Sequence, residues 1–207
     1  MIRLAETRWL VPLAAIMTIM LVAVAGVLAF DQFSSPSDPP ATSQPPEVGL
    51  TAKAAARPAY KSAEQWREDA ELAGAQIHYT ALGQGPKGAE WAFQFYSPST
   101  ERLAIFLVAG GEATLMRDTL SPYDLPTFSR ETWRIDSDEV LSLWWDRGGS
   151  HLVRRRPDSD VTLRLRVSEQ TPRGPSWTAV GSVPGQQSRF VIAVDATDGS
   201  VIERLDS

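Results

Sequence analysis

Few side chains in this sequence could do chemistry near neutral pH. Its 207 residues include two histidines, His78 and His151, and no cysteine. Thiol nucleophiles, disulfides, cysteine-ligated zinc and a lipid-modified N-terminal cysteine are therefore excluded. A metal site built on the histidines would need carboxylates to complete it. His78 alternates with Ile77 and Tyr79 in a strand-like run, and His151 follows a glycine turn, so surface or capping roles are expected for both. Ser150 beside His151 is not a triad signal, because adjacent residues on a strand face opposite ways and no strained nucleophile turn precedes the serine. Asp195 and Asp198 with Gly199 resemble a calcium loop only superficially, since the alternate ligands and the closing Glu are missing. Asp136, Asp138 and Glu139 read as helix-start acids favoured by the macrodipole. The expectation is no catalytic residue, no cofactor and no metal. Trp144 and Trp145, about 100° apart on a helix, are expected to divide their roles: one in the core, the other packing between halves or forming a contact surface.

The elements that must position these residues begin with a long apolar run. Residues 9–30, with Trp9 and Phe30 at its ends, carry no formal charge, and at ~1.5 Å of rise per residue a helix of that length matches a bilayer core. Arg3 and Arg8 precede the run, whereas Asp31 and Asp38 follow it and the first basic residue beyond is Lys53. The positive-inside rule then places the N-terminus in the cytoplasm and the rest outside the plasma membrane. Two readings of the run stand: an uncleaved single-pass anchor, or a secretory signal cut after Ala23-Val24-Ala25. The length favours the anchor, because signal h-regions are usually about 7 to 15 residues.

A net charge of −5 and a pI near 5.1 give no electrostatic footprint for nucleic acid. Arg154-Arg155-Arg156, flanked by Asp158 and Asp160, reads as a solvated turn. Asparagine is absent, which removes any N-glycosylation sequon. Residues 31–60, rich in Pro, Ser and Ala, read as an extended spacer.

Beyond the spacer the pattern reads as α+β with two repeated units of helix plus antiparallel meander, over 61–119 and 136–207, joined by a connector at 120–135. In the first, Ser62 and Gln65 suggest a capping box, Trp66, Ala70, Ala73 and Ile77 a helical stripe, and Gly74 the helix end. Trp91, Phe93 and Phe95 alternate as on a strand. Leu103, Ile105 and Leu107 form a second strand, and residues 113–117 a third. In the second unit, Asp136 or Ser137 caps a helix with Glu139 as reciprocal acid. Val140, Leu141, Leu143 and Trp144 supply its buried face, Gly148-Gly149 stops it, and strands follow at 161–167, 177–180, 190–194 and 201–205. The spacing of Ser62 to Gly74 resembles that of Ser137 to Gly149, and Trp91-Phe93-Phe95 then corresponds to Val161-Leu163-Leu165, which reads as a duplication.

The run Phe190-Val191-Ile192-Ala193-Val194-Asp195-Ala196-Thr197-Asp198-Gly199-Ser200-Val201, with Trp177 on the strand before it, resembles the closing hairpin D-A-x-T-G-x-V of the PepSY family of extracytoplasmic modules. Its turn chemistry is physical: Asp195 can accept backbone N–H bonds, and Gly199 can take the left-handed conformation. The resemblance implies a tandem PepSY-like (cystatin-like) ectodomain that binds or restrains a peptidase or another envelope protein, and it carries no catalytic residues. The functional expectation is a membrane-anchored, non-catalytic binding module with an extracytoplasmic protein or peptide as partner. The alternative is a structural or assembly subunit of an envelope complex, and an enzyme ranks below both.

Overall fold

The computed structural model describes residues 44–85, 89–167, 174–186 and 189–206. The expected membrane segment, the first part of the spacer and the turn at 86–88 lie outside the described residues. Among the described residues, no helix is long and apolar enough to cross a membrane.

The fold is α+β, with a single antiparallel sheet of eight strands and few helices. Helix α1 (Ala52–Trp66) leads into β1 (Glu71–Tyr79), a 3₁₀ turn at Leu82–Gln84, β2 (Trp91–Ser97), β3 (Arg102–Ala109) and β4 (Glu112–Leu120). Irregular chain then reaches α2 (Ser137–Trp144), a wide π-type turn (Trp145–Gly149) and α3 (Ser150–Arg155). Strands β5 (Asp160–Val167), β6 (Pro175–Ser182), β7 (Arg189–Asp195) and β8 (Val201–Asp206) follow. The spatial order is β4-β3-β2-β1-β5-β6-β7-β8, so each helical stretch feeds a four-stranded meander and the meanders meet where β1 pairs with β5.

The alternation of side chains sorts the sheet into two faces. Phe95, Phe93 and Trp91 lie opposite Ala104, Phe106 and Val108, Ile77 lies opposite Leu163, and Trp177, Ala179 and Gly181 lie opposite Val194, Ile192 and Phe190. All of these side chains join one core with the helices, and Gly181 leaves room in it for Trp144. From α1, Tyr60 meets Phe95 edge to face at 5.1 Å and Trp66 meets Phe106 at 6.5 Å. From α2, Trp144 packs on Phe190 at 5.8 Å and donates its indole N–H to the Phe190 carbonyl at 3.2 Å. The helix-side face is thus covered, and among the described residues the opposite face carries no helix.

Several expectations are corrected here. The first helix starts at Ala52, inside the stretch read as spacer, and Thr51 rather than Ser62 is its N-cap. Its buried stripe is Ala52, Ala55, Ala56, Ala59 and Ala63, a helical spacing of small residues that let the helix lie close on the sheet. Pro58 sits within it, removing one backbone donor without ending the helix. The stripe assigned to Ala70, Ala73 and Ile77 falls largely on β1, and Gly74 is a strand residue, not a helix end. A register shift between Leu72 and Gly74 hides the period-2 alternation at the start of β1. The first meander therefore has four strands, and Trp91-Phe93-Phe95 on β2 takes the place in the order held by β6, not by Val161-Leu163-Leu165 on β5. The second helical stretch does break at Gly148-Gly149, as expected, but the chain turns there instead of leaving the helical layer. Gly148, at φ 141°, bends the chain into α3, and Gly149 lets Trp144 lie against it, where a Cβ would stand 2.3 Å from the indole.

Candidate binding face

The helix-free face is built from the residues of opposite parity. At its centre β1 contributes Gly74, Gln76 and His78, and β5 contributes Thr162, Arg164 and Arg166, paired as Gly74 with Arg166, Gln76 with Arg164 and His78 with Thr162. β2 adds Gln94, directly opposite Gly74. Together Gly74, Gln76, Gln94, Arg164 and Arg166 line a depression of about 230 Å³. Gly74 keeps it open, since a Cβ there would stand 3.0 Å from the Leu165 carbonyl oxygen and 3.6 Å from the Gln94 side chain.

Arg164 donates Nε–H to Gln76 Oε1 at 2.9 Å, which fixes the guanidinium over the depression. Among the described residues, neither Arg164 nor Arg166 forms an ion pair. Beside them the His78 ring nitrogen Nδ1 shares a 2.9 Å hydrogen bond with Thr162 Oγ1, and Nε2 lies 3.7 Å from Asp160. Flanking this polar centre, Leu103, Ile105 and Leu107 of β3 and Val180 and Val191 of β6 and β7 are half-buried. The face therefore combines cationic and amide donors at its centre with half-buried apolar side chains at its margins. The alternation Thr162-Leu163-Arg164-Leu165-Arg166 does place both arginines on one side of a strand, but nothing in sequence says that, among the described residues, no helix packs on this side.

The expected site residues take other places. Asp195 accepts the Thr197 N–H at 2.7 Å through Oδ1, and its carbonyl accepts the Gly199 N–H at 3.0 Å. Gly199 has φ 79°, and a Cβ there would stand 3.3 Å from Ile135. Ala196 is fully buried, and its carbonyl accepts the N–H groups of Arg134 and Ile135 at 2.8 and 2.9 Å. Trp177 is fully buried, donates to the Ile135 carbonyl at 2.9 Å, and packs edge to face on Trp91 and Trp133. The hairpin thus clamps the chain just ahead of α2, and its motif residues build structure. Trp144 and Trp145 are both core residues, at 0 % and 5 % exposure, so neither forms the expected contact surface. His78 lies on the open face and His151 on α3, where its Nδ1 is 3.2 Å from Arg154. Among the described residues no group of three or more His, Asp or Glu side chains could hold a metal ion.

No family model matches this chain, and no curated protein matches it. In fold it is similar to a crystal structure from Clostridium difficile 630 named a "putative lipoprotein", with a TM-score of 0.50 and 8 % identity over 72 % of this chain and 90 % of that one. At that identity the likeness concerns the fold: an α+β architecture on an antiparallel sheet.

Proposed function

We propose that this protein is an envelope-tethered, non-catalytic binding module whose open sheet face takes an acidic segment of a protein or peptide. Residues 9–30 hold it in the plasma membrane, the N-terminus lies inside, and the folded part lies outside. The observation that carries the reading is the pair of guanidiniums, Arg164 and Arg166, at the centre of a helix-free face with no carboxylate partner among the described residues. In a chain of net charge −5, two such cations beside amide donors favour a carboxylate ligand through charge-assisted, bidentate hydrogen bonds. The lipoprotein name of the fold neighbour agrees with an envelope setting, and the PepSY-like hairpin suggests an envelope protein such as a peptidase as the partner.

The face is also a composite of two related halves in this reading. A single sequence offset carries the cross-strand pair Trp91–Val108 onto Trp177–Val194, Phe93–Phe106 onto Ala179–Ile192, and Phe95–Ala104 onto Gly181–Phe190. In the last pair the large and small members trade places, which conserves volume across the strands. Trp91 donates to the carbonyl of Leu50, one residue before the cap of α1, and Trp177 to that of Ile135, one residue before the cap of α2. A duplication of a helix and four-strand unit accounts for these coincidences. It places the depression beside the pseudo-two-fold axis at the Ile77–Leu163 pair.

The test uses the full chain in its native membrane, with a photo-crosslinking side chain at Gln94 and, as control, at Glu64 on α1. The expected result is an adduct of defined mass from Gln94 alone, lost when Arg164→Glu and Arg166→Glu are combined. Equal labelling at both positions, or labelling indifferent to the charge reversal, overturns the reading. Replacing residues 9–30 by an unrelated anchor leaves the adduct intact if the face does the work and abolishes it if the chain is an assembly subunit acting through its membrane segment.

A further inference from the structure

A cleft lies on the helix side of the sheet, apart from the open face. Lys53, Ala56, Arg57 and Tyr60 of α1, with Arg130 and Trp133 of the chain leading into α2, line a cleft of about 330 Å³, a size suited to a small molecule. Three of these side chains are cationic, and no carboxylate is among the lining residues. The Arg130 guanidinium is stacked over the Tyr60 ring, 3.4 Å from its centroid. Its ion-pair partner among the described residues, Glu64 at 3.6 Å, is exposed like Arg130 itself, and the adjoining Glu131 also interacts with it electrostatically; such exposed pairings are weak and replaceable. Arg57 is exposed and forms no ion pair among the described residues. The Lys53 ammonium reaches the Arg134 carbonyl at 2.5 Å, which tethers it at the cleft, and it forms no ion pair among the described residues.

The first amides of α1 do not serve this site. The Ala52 and Lys53 N–H groups are taken by Ser137 Oγ at 2.9 Å and Asp136 Oδ1 at 3.1 Å, so recognition falls to side chains. The Tyr60 hydroxyl is buried. Burial raises its pKa, against the lowering effect of the neighbouring Arg130 and with a further raising effect of Glu131, so it stays protonated. The remaining walls, Ala56 and the 4 % exposed Trp133, are apolar.

We propose that this cleft binds a phosphate monoester, the phosphate held by Lys53, Arg57 and Arg130 and the organic group lying against Ala56 and Trp133. Three cations suit a group that carries about −1.5 to −2 charge at pH 7 better than a single carboxylate, and two of them are arginines, whose planar fork matches phosphate oxygens. A soluble ester and a lipid headgroup share this chemistry.

The experiment is calorimetric titration of the full chain in detergent with phenyl phosphate, inorganic phosphate and phenol. Phenyl phosphate is expected to bind more tightly than either fragment, and Arg57→Glu, at an exposed position, to weaken it at least about tenfold, a difference of about 1.4 kcal/mol, without lowering the unfolding midpoint. Arg130→Gln, which keeps a planar side chain on Tyr60, is expected to weaken it as well. No binding by about 10 mM, or an affinity within about twofold of the original in Arg57→Glu, overturns the proposal. Repeating the titration in nanodiscs with and without phosphatidic acid separates the sources. Competition by the lipid identifies a headgroup ligand, and indifference to it a soluble ester; both outcomes support the site.

Discussion

At the scale of single residues, the fold depends on places where one atom more or less decides packing or charge. Gly181 faces Trp144 so closely that an added Cβ would stand 2.4 Å from the indole Cζ2, and Trp144 is fully buried. Gly181→Ala is therefore expected to cost about 1–3 kcal/mol through overpacking, or more if the indole N–H leaves the Phe190 carbonyl; a denaturant titration reads it as a lower midpoint with unchanged slope. Asp69 illustrates charge. Hydrogen bonds from Ser99 and Ser97 hold its carboxyl down to about 2, against an ordinary value of 3.8, with the Ser97 hydroxyl and the Ser99 N–H each at 2.7 Å. Because the folded pKa is depressed, the stabilisation is present above the unfolded value and is lost as pH falls toward about 2. Asp69→Asn is expected to lower the melting temperature at pH 6 and to narrow its gap from the parent between about pH 4 and pH 2, as followed by thermal melts across that range.

At the scale of elements, the two long helices are coupled through their N-termini. Asp136 caps α2 with a reciprocal bond from Glu139, its own N–H donating to Glu139 Oε2 at 2.8 Å. The Asp136 carboxylate also accepts the Lys53 N–H, and buried Ser137 accepts the Ala52 N–H, so the start of α2 caps α1. Ser137→Ala leaves a buried N–H of α1 without a partner, which costs about 1–3 kcal/mol. The expected signature is faster amide exchange at the start of α1, a helix remote in sequence from the substitution. No change in exchange there would argue against the coupling. The capping pattern at Asp136 was legible in sequence because a capping box is a local device. The role of Ser137 toward Ala52 was not, because it joins residues 85 positions apart. The alanine stripe of α1 was legible in principle, yet the surrounding prolines signalled spacer, and packing on the sheet overrode that local preference.

At the scale of the whole molecule, β1 and β5 make the seam that turns two meanders into one eight-stranded sheet. Ile77 and Leu163 pair across it, both essentially inaccessible to solvent. Ile77→Asp would bury a charge with no partner in the core that both halves share, and its cost is expected to exceed about 4 kcal/mol. Both halves should then unfold together; fluorescence from Trp91 and Trp177, compared in single Trp→Phe variants, checks that their transitions coincide in the parent and disappear together in the variant. Independent unfolding of one half would contradict a shared core. The same seam gathers Arg164 and Arg166 with Gln76 and Gln94, residues from three strands that sequence keeps apart.

Composition and local pattern were enough to establish the apolar run at 9–30 with its charge bias, the exclusion of thiol chemistry, the α+β class, the cap of α2, the Asp195 to Gly199 turn and most of the strands. These are set by periodicity and by contacts within a few residues. Three features emerged from the folded arrangement alone: the stretch around Ala75 is a central strand, both Trp144 and Trp145 are buried, and, among the described residues, one face of the sheet carries no helix. Each depends on which surface a distant element covers, and burial against a remote partner leaves little local trace in the chain.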